Sequence, residues 1–163
     1  MNRRPFLTLL PALAVALAAS RTRAATETPM SSARPPRLTR TDAEWRKLLA
    51  PDAYRVLRHE GTEPPFTSPL NDEKRRGRFH CAGCDAPLFD ASMKFDSGTG
   101  WPSFHSTLPG AFDTKRDFKL ILPRTEYHCA TCGGHHGHVF DDGPAPTGKR
   151  YCNNGVALRF VPA

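Results

Sequence analysis

Two Cys-x-x-Cys pairs, Cys81-Ala82-Gly83-Cys84 and Cys129-Ala130-Thr131-Cys132, limit what this chain can become more than any other feature. The pairs have 44 residues between them, so a shared ligand would tie distant segments to one point. In each, two intervening residues, with a glycine in the turn or just after it, let both sulfurs face the same way. Two such knuckles supply four thiolates at tetrahedral geometry, the donor set of a closed structural zinc site. Vicinal redox disulfides, disulfides across the loops in an oxidising compartment and a rubredoxin-like iron centre would use the same residues. One structural Zn2+ held by Cys81, Cys84, Cys129 and Cys132 is the favoured reading, because spacing and duplication both match it.

The 163 residues suffice for one domain with a modest core. Sixteen prolines and twelve glycines argue for turns and short strands rather than long helices. Thr41-Asp42-Ala43-Glu44 is a capping box that opens a short helix with Trp45, Leu48 and Leu49 on one face. Pro51 stops it and starts a second helix, carrying Tyr54, Val56 and Leu57 to Gly61. From Phe79 onward helical periodicity disappears. Short runs at Lys119–Leu122, Glu126–His128, His138–Phe140 and Gly155–Phe160 lie between Gly, Pro and Asp clusters, as in a compact antiparallel β domain.

Residues 1–24 are set aside as an export signal: a basic start, an apolar run from Leu7 to Ala19 too short to span a membrane, then small residues. Arg3 and Arg4 ahead of Pro5-Phe6-Leu7 resemble the twin-arginine pattern, with cleavage expected after Ala18 or Ala24. An uncleaved anchor and a general secretory signal are the alternatives. A folded-protein route would let the four thiols take up metal before meeting an oxidising periplasm. Residues 25–40 read as a disordered linker, leaving 41–163 as the working domain. Removing Met1 to Ala24 takes away four arginines and no acids, so the net charge falls from +7 to +3. Most of the basicity is therefore targeting, and no nucleic-acid partner is expected. Lys74-Arg75-Arg76, beside Asp72 and Glu73, reads as a solvated turn.

Four cysteines assigned to metal leave Cys152 over, in Lys149-Arg150-Tyr151-Cys152-Asn153-Asn154. An unpaired cysteine is by default a small buried hydrophobe. Here Arg150, Asn153 and Asn154 give it polar company, and a guanidinium with amide donors favours the reactive thiolate. Gly133-Gly134-His135-His136-Gly137-His138 supplies imidazoles that pass protons near neutral pH, unless they form a second metal site or an exposed loop. Trp101, between Gly100 and Pro102, belongs either to the core or to a pocket wall.

CAGC, KFDSGTGWPSF, CATCGGHHGHVFDDGP and GKRYCNNGVALRF, in this order, resemble the B-type methionine sulfoxide reductases, which act on the R epimer. The likeness runs from about Leu38 to Phe160. It implies two small antiparallel sheets with short N-terminal helices, a mainly β fold. It implies that Cys152 attacks the sulfoxide sulfur and becomes a sulfenic acid. His135 and His138 then match histidines that help protonate the departing oxygen, and Asn154 a site asparagine. Trp101 matches the tryptophan against the substrate methyl, and the four knuckle cysteines match the zinc ligands found in much of the family. The chemistry fits the residue types. Sulfoxide sulfur is electrophilic only when its oxygen is protonated or strongly hydrogen-bonded.

Three positions depart from the family pattern. His136 and Asn153 stand where apolar residues are usual, and the expectation is a more polar site. Thr99 stands where many members carry a resolving cysteine, so the sulfenic acid is expected to need an outside thiol. Oxidised proteins are thus the expected substrates and a thioredoxin-like thiol the expected reductant, with a monomer and no stable membrane association expected once the signal is removed. The contrasting reading is a zinc-knuckle protein-binding module in which Cys152 is incidental.

Overall fold

The computed structural model describes residues 37–120 and 122–163. The expected export signal, both expected cleavage positions and most of the expected linker lie outside these residues. The last linker residues, Arg37 to Arg40, are placed against the body: the Leu38 N–H donates to Thr131 O at 2.7 Å, and Arg37 pairs with Asp113 at 2.5 Å.

Helix α1 spans Asp42–Leu48 and α2 spans Pro51–His59. The capping box forms at α1: the Thr41 N–H donates to Glu44 Oε2 at 2.7 Å and the Glu44 N–H to Thr41 Oγ1 at 3.3 Å. Trp45 and Leu49, four residues apart, face the core. Leu48 does not share that face as expected; it is 53% exposed, because on so short a helix its position turns past the edge of the core. Helix α2 ends at Glu60, in the left-handed region at φ 53°, one residue before the expected glycine.

Among the described residues nine strands follow: β1 (Gly77–Cys81), β2 (Pro87–Asp90), β3 (Lys94–Phe95), β4 (Ser103–Phe104), β5 (Phe112–Asp117), β6 (Arg124–Cys129), β7 (His135–Phe140), β8 (Arg150–Asn153) and β9 (Leu158–Pro162). They make two antiparallel sheets, as expected: β2-β1-β9 and β3-β4-β8-β7-β6-β5. Phe104 of β4 joins them. Its ring stacks on Phe89 of β2 at 3.9 Å and meets the edge of Phe79 of β1 at 5.0 Å, with all three fully buried. Trp45, Val56 and Leu57 close this core from the helical side.

Two expected strands differ. In the expected run Lys119–Leu122 the described residues Lys119, Leu120 and Leu122 are not in a strand but in the connection between β5 and β6; Phe118, Leu120 and Leu122 are exposed there, beyond the last ladder pair Asp117–Arg124. Gly155–Ala157 is a 3-10 turn that leads into β9, because Asn154 and Glu63 hold its first residues. Arg75 of the basic cluster pairs with Glu73 at 2.6 Å, as a solvated turn should. Among the described residues no helix is long and apolar enough to cross a membrane.

Candidate active site

The two knuckles meet. Cys81 of β1 lies 3.7 Å from Cys132, and Cys84 lies 3.6 Å from Cys129 of β6, measured sulfur to sulfur. All four sulfurs fall within 4.8 Å of one another. A tetrahedron of thiolates around an ion with bonds of about 2.3 Å has edges of about 3.8 Å, so the set fits a metal ion. The separations are far beyond a disulfide bond of about 2.05 Å. The Gly83 N–H donates to Cys81 Sγ at 3.4 Å, tightening the first turn. None of these cysteines lines the cavity described next.

Cys152 sits on β8 at the centre of the large sheet, opposite Ser103 of β4 and His138 of β7. It opens into a cavity of about 130 Å³ whose walls include Trp101, His138, Arg124, Phe140 and Asn154. β7 can approach this closely because residue 137 is glycine; a Cβ there would lie 2.0 Å from the Cys152 carbonyl oxygen. Burial pushes the Cys152 thiol above its ordinary value, while the Arg150 guanidinium and the Thr99 hydroxyl pull it down. The expected net drive to thiolate is therefore reversed: the neighbours are present, but desolvation outweighs them. Arg150 is held by Asp142 through two bonds of 2.8 Å and lies 4.3 Å from the centre of the Phe140 ring.

His138 Nε2 lies 2.8 Å from Asp117 Oδ2. The same carboxylate accepts the Lys119 N–H at 2.9 Å and faces Arg124 at 2.7 Å, and these donors hold it well below the usual carboxylate range. An ionised carboxylate only accepts, so Nε2 carries the proton and Nδ1 of neutral His138 is left bare. Burial lowers the pKa of His138, against the pull of Asp117.

Trp101 donates its indole N–H to Glu63 O at 3.0 Å, which fixes its plane as a wall. Asn154 ties that wall to β7. Its Oδ1 accepts the Glu63 N–H and its Nδ2 donates to His136 O, both at 2.9 Å. The Glu63 carboxylate in turn accepts N–H groups from Gly155 and Val156.

Cys152, His138, Trp101 and Asn154 thus share one cavity. His135 does not line it. Its ring stands 5.6 Å from that of His138, buried beside Glu126. His136 also turns away. It is fully buried against Phe112 and Tyr127, where desolvation lowers its pKa to about 4. The expectation of a more polar site therefore fails at His136, because the register shift between Tyr127 and His128 leaves it as the extra residue of β7 and turns its ring to the face opposite His138. Asn153 reaches the cavity edge, but its side chain is engaged with Tyr127 Oη at 3.0 Å and Asn154 O at 2.7 Å. Asp117, Arg124 and Glu63 are not singled out from sequence. They reach the site only through strand pairing and loop contacts.

The SelR domain family matches residues 49–162. The chain belongs to that family. It is 50% identical over 134 residues to the peptide methionine sulfoxide reductase MsrB of Agrobacterium fabrum, covering 82% of this chain and 99% of that one. It is 52% identical over 127 residues to the protein of the same name from Pseudomonas putida, covering 77% and 96%. With the Methanosarcina barkeri MsrB it shares 48% over 122 residues, covering 74% and 86%. Each match spans most of both chains, and the reading as a zinc-knuckle binding module is not favoured.

Proposed function

We propose that this chain reduces the R epimer of methionine sulfoxide in proteins, with Cys152 as the nucleophile. The observation that carries the reading is the cavity in which a half-buried thiol, a carboxylate-held imidazole and an indole wall converge, in a SelR-family chain. Its size suits a methylsulfinyl group and little more.

The resting pair is a thiol and a neutral imidazole. Bare Nδ1 of His138 takes the thiol proton as Cys152 sulfur attacks the sulfoxide sulfur, and Asp117 stabilises the imidazolium. The same proton then passes to the sulfoxide oxygen. As the oxygen moves to Cys152 sulfur, the sulfur–oxygen bond of the substrate and the new sulfur–sulfur bond both break, so that the oxygen ends as the hydroxyl of a Cys152 sulfenic acid and methionine leaves reduced by two electrons. Trp101 packs against the methyl group and selects the epimer, while Asn154 acts as a positioning residue. His135 stands behind His138 and supports it.

Regeneration is by external thiols. One thiol attacks the sulfenic acid, expelling water and leaving a mixed disulfide; a second releases Cys152. Thr99, at the usual resolving position, offers only a hydroxyl. A thioredoxin-like donor fits this need. The four cysteines would hold zinc as a structural ion and take no part in the reaction. The leader reading adds export to a periplasm by a twin-arginine route; a reporter fused to the first 30 residues that failed to be exported would remove that part.

The test is turnover of both sulfoxide epimers with dithiothreitol, beside Cys152→Ser. Activity on the R epimer alone, abolished in the variant, is expected. Equal rates for the two proteins would overturn the proposal. Without reductant, one equivalent of substrate should add one oxygen to the intact mass with no new disulfide; an internal Cys152 disulfide would refute external regeneration.

A further inference from the structure

Behind the cavity lies a second group of donor atoms, of which the chemistry above uses only His135, as a support for His138. Glu126 and His128 are two apart on β6 and so share a face, and His135 of β7 is the register partner of His128. One ligand atom from each lies within 4.8 Å of the others. Glu126 Oε2 is 3.0 Å from His135 Nδ1 and 3.5 Å from His128 Nε2, yet neither nitrogen has a hydrogen-bond partner, and both are shielded from solvent. Glu126 is 1% exposed and His135 2%.

Unpaired polar atoms so deeply buried are costly and rare in native proteins. Here their protonation makes the arrangement harder to explain without a cation. His128 Nδ1 faces Gly133 O at 3.4 Å, and a carbonyl only accepts, so the proton sits on Nδ1 and the Nε2 lone pair points inward. Burial drives the His135 pKa down to about 3, so this ring is neutral, the form that ligates metals. Its Nδ1 approaches the carboxylate without hydrogen-bond alignment. Two imidazole nitrogens and a carboxylate oxygen therefore converge on one point. The other Glu126 oxygen takes Lys115 Nζ at 2.9 Å, and Lys115 is itself shared with Glu60 at 2.7 Å. Lys119 also pairs with Glu60, so two ammonium groups face two carboxylates and the surround is near neutral.

We propose that Glu126, His128 and His135 form a second metal site, for a divalent first-row transition ion, separate from the four-cysteine cluster. Two imidazoles and one carboxylate suit borderline ions such as zinc, cobalt(II) or copper(II), whereas calcium and magnesium prefer all-oxygen shells. The Gly133 carbonyl supplies the outer contact that orients a ligating histidine. His128, the least buried of the three, gives the path for entry. The site does not depend on the reductase reading.

The test uses the full chain carrying Cys152→Ser, which removes the free thiol, with its cysteine cluster already loaded with zinc. Cobalt(II) is titrated in. One further equivalent should bind with visible d–d bands and no thiolate charge-transfer band. The ring-proton signals of His128 and His135 should take the largest paramagnetic shifts, ahead of those of His59, His80 and His105. Adding His128→Gln or Glu126→Gln should weaken cobalt binding by at least about 100-fold. Retained cluster zinc reports that each variant has kept its fold. If no further equivalent binds, if the shifts centre on other histidines, or if both folded variants bind as tightly as their parent, the site does not exist.

Discussion

Asn154 separates a positioning role from a chemical one, and its replacement by alanine has a cost that follows from its partners. The side chain is 3% exposed and makes two bonds, from the Glu63 N–H and to His136 O. His136 O keeps a partner in the variant, because the Asn154 backbone N–H also donates to it at 2.9 Å. The Glu63 N–H keeps none. One orphaned buried donor costs about 1–3 kcal/mol and the lost second bond about 0.5–1.5 kcal/mol, together about 2–4 kcal/mol. For a body of this size that is a fall in Tm on the order of 10 °C. Glu63 also accepts the Trp101 indole N–H, so the wall loosens with it, and KM should rise more than kcat falls. The assay is calorimetric unfolding beside steady-state turnover at a temperature well below the variant's transition. A variant with unchanged Tm and a kcat reduced 100-fold or more, within the range of about 10²–10⁴ for a group active in proton transfer, would refute the argument. The amide would then act on substrate, not on Glu63.

Three further outcomes are expected. The pH profile of kcat/KM should hold a plateau whose acid limb lies below 6.5 and whose alkaline limb lies above 9.0, since burial lowers His138 and raises Cys152 from those ordinary values; limbs inside that interval would contradict the resting thiol–imidazole pair. Trp101→Ala should lose turnover more than thermal stability, and normal activity per folded molecule would return Trp101 to the core. Cys84→Ser should yield a metal-depleted, poorly folded protein, because the binding energy of such a site is folding energy worth several kcal/mol; a stable, active, zinc-free variant would show the cluster to be dispensable.

Signals that act over a few residues were legible in the sequence. The capping box at Thr41, the proline that divides the helices and the paired knuckles each carry their own geometry, and all reappear in the structure. Signals that depend on strand register were not. Asp117 is one acid in a mixed run, and only the β5–β6–β7 order brings it to His138. Lys119–Leu122 is apolar enough for a strand, but it falls past the end of the ladder. His135, His136 and His138 look alike in a row; the irregularity between Tyr127 and His128 both places His135 opposite His128 and turns His136 away from the face of His138. Cys152 was legible as the odd thiol. Its titration was not, because desolvation is a property of the folded surroundings.

The four-cysteine cluster and the cavity share no residue, yet they share a hairpin. β6 begins with Arg124 at the cavity and ends with Cys129 in the cluster. The chain turns through Cys132 and returns as β7, which carries His138 back to Cys152. The Gly133 N–H donates to Cys129 O at 2.7 Å and the Cys129 N–H to Gly134 O at 2.8 Å, so the second knuckle is also the turn of this hairpin. An ion that locks the turn locks the register, and a one-residue slip would move every side chain of β7 to the opposite face. His138 would leave Cys152, and Glu126 would leave His135. A metal that never meets substrate can thus govern turnover through strand alignment, which is why loss of the cluster should disable the proton path even in molecules that remain compact.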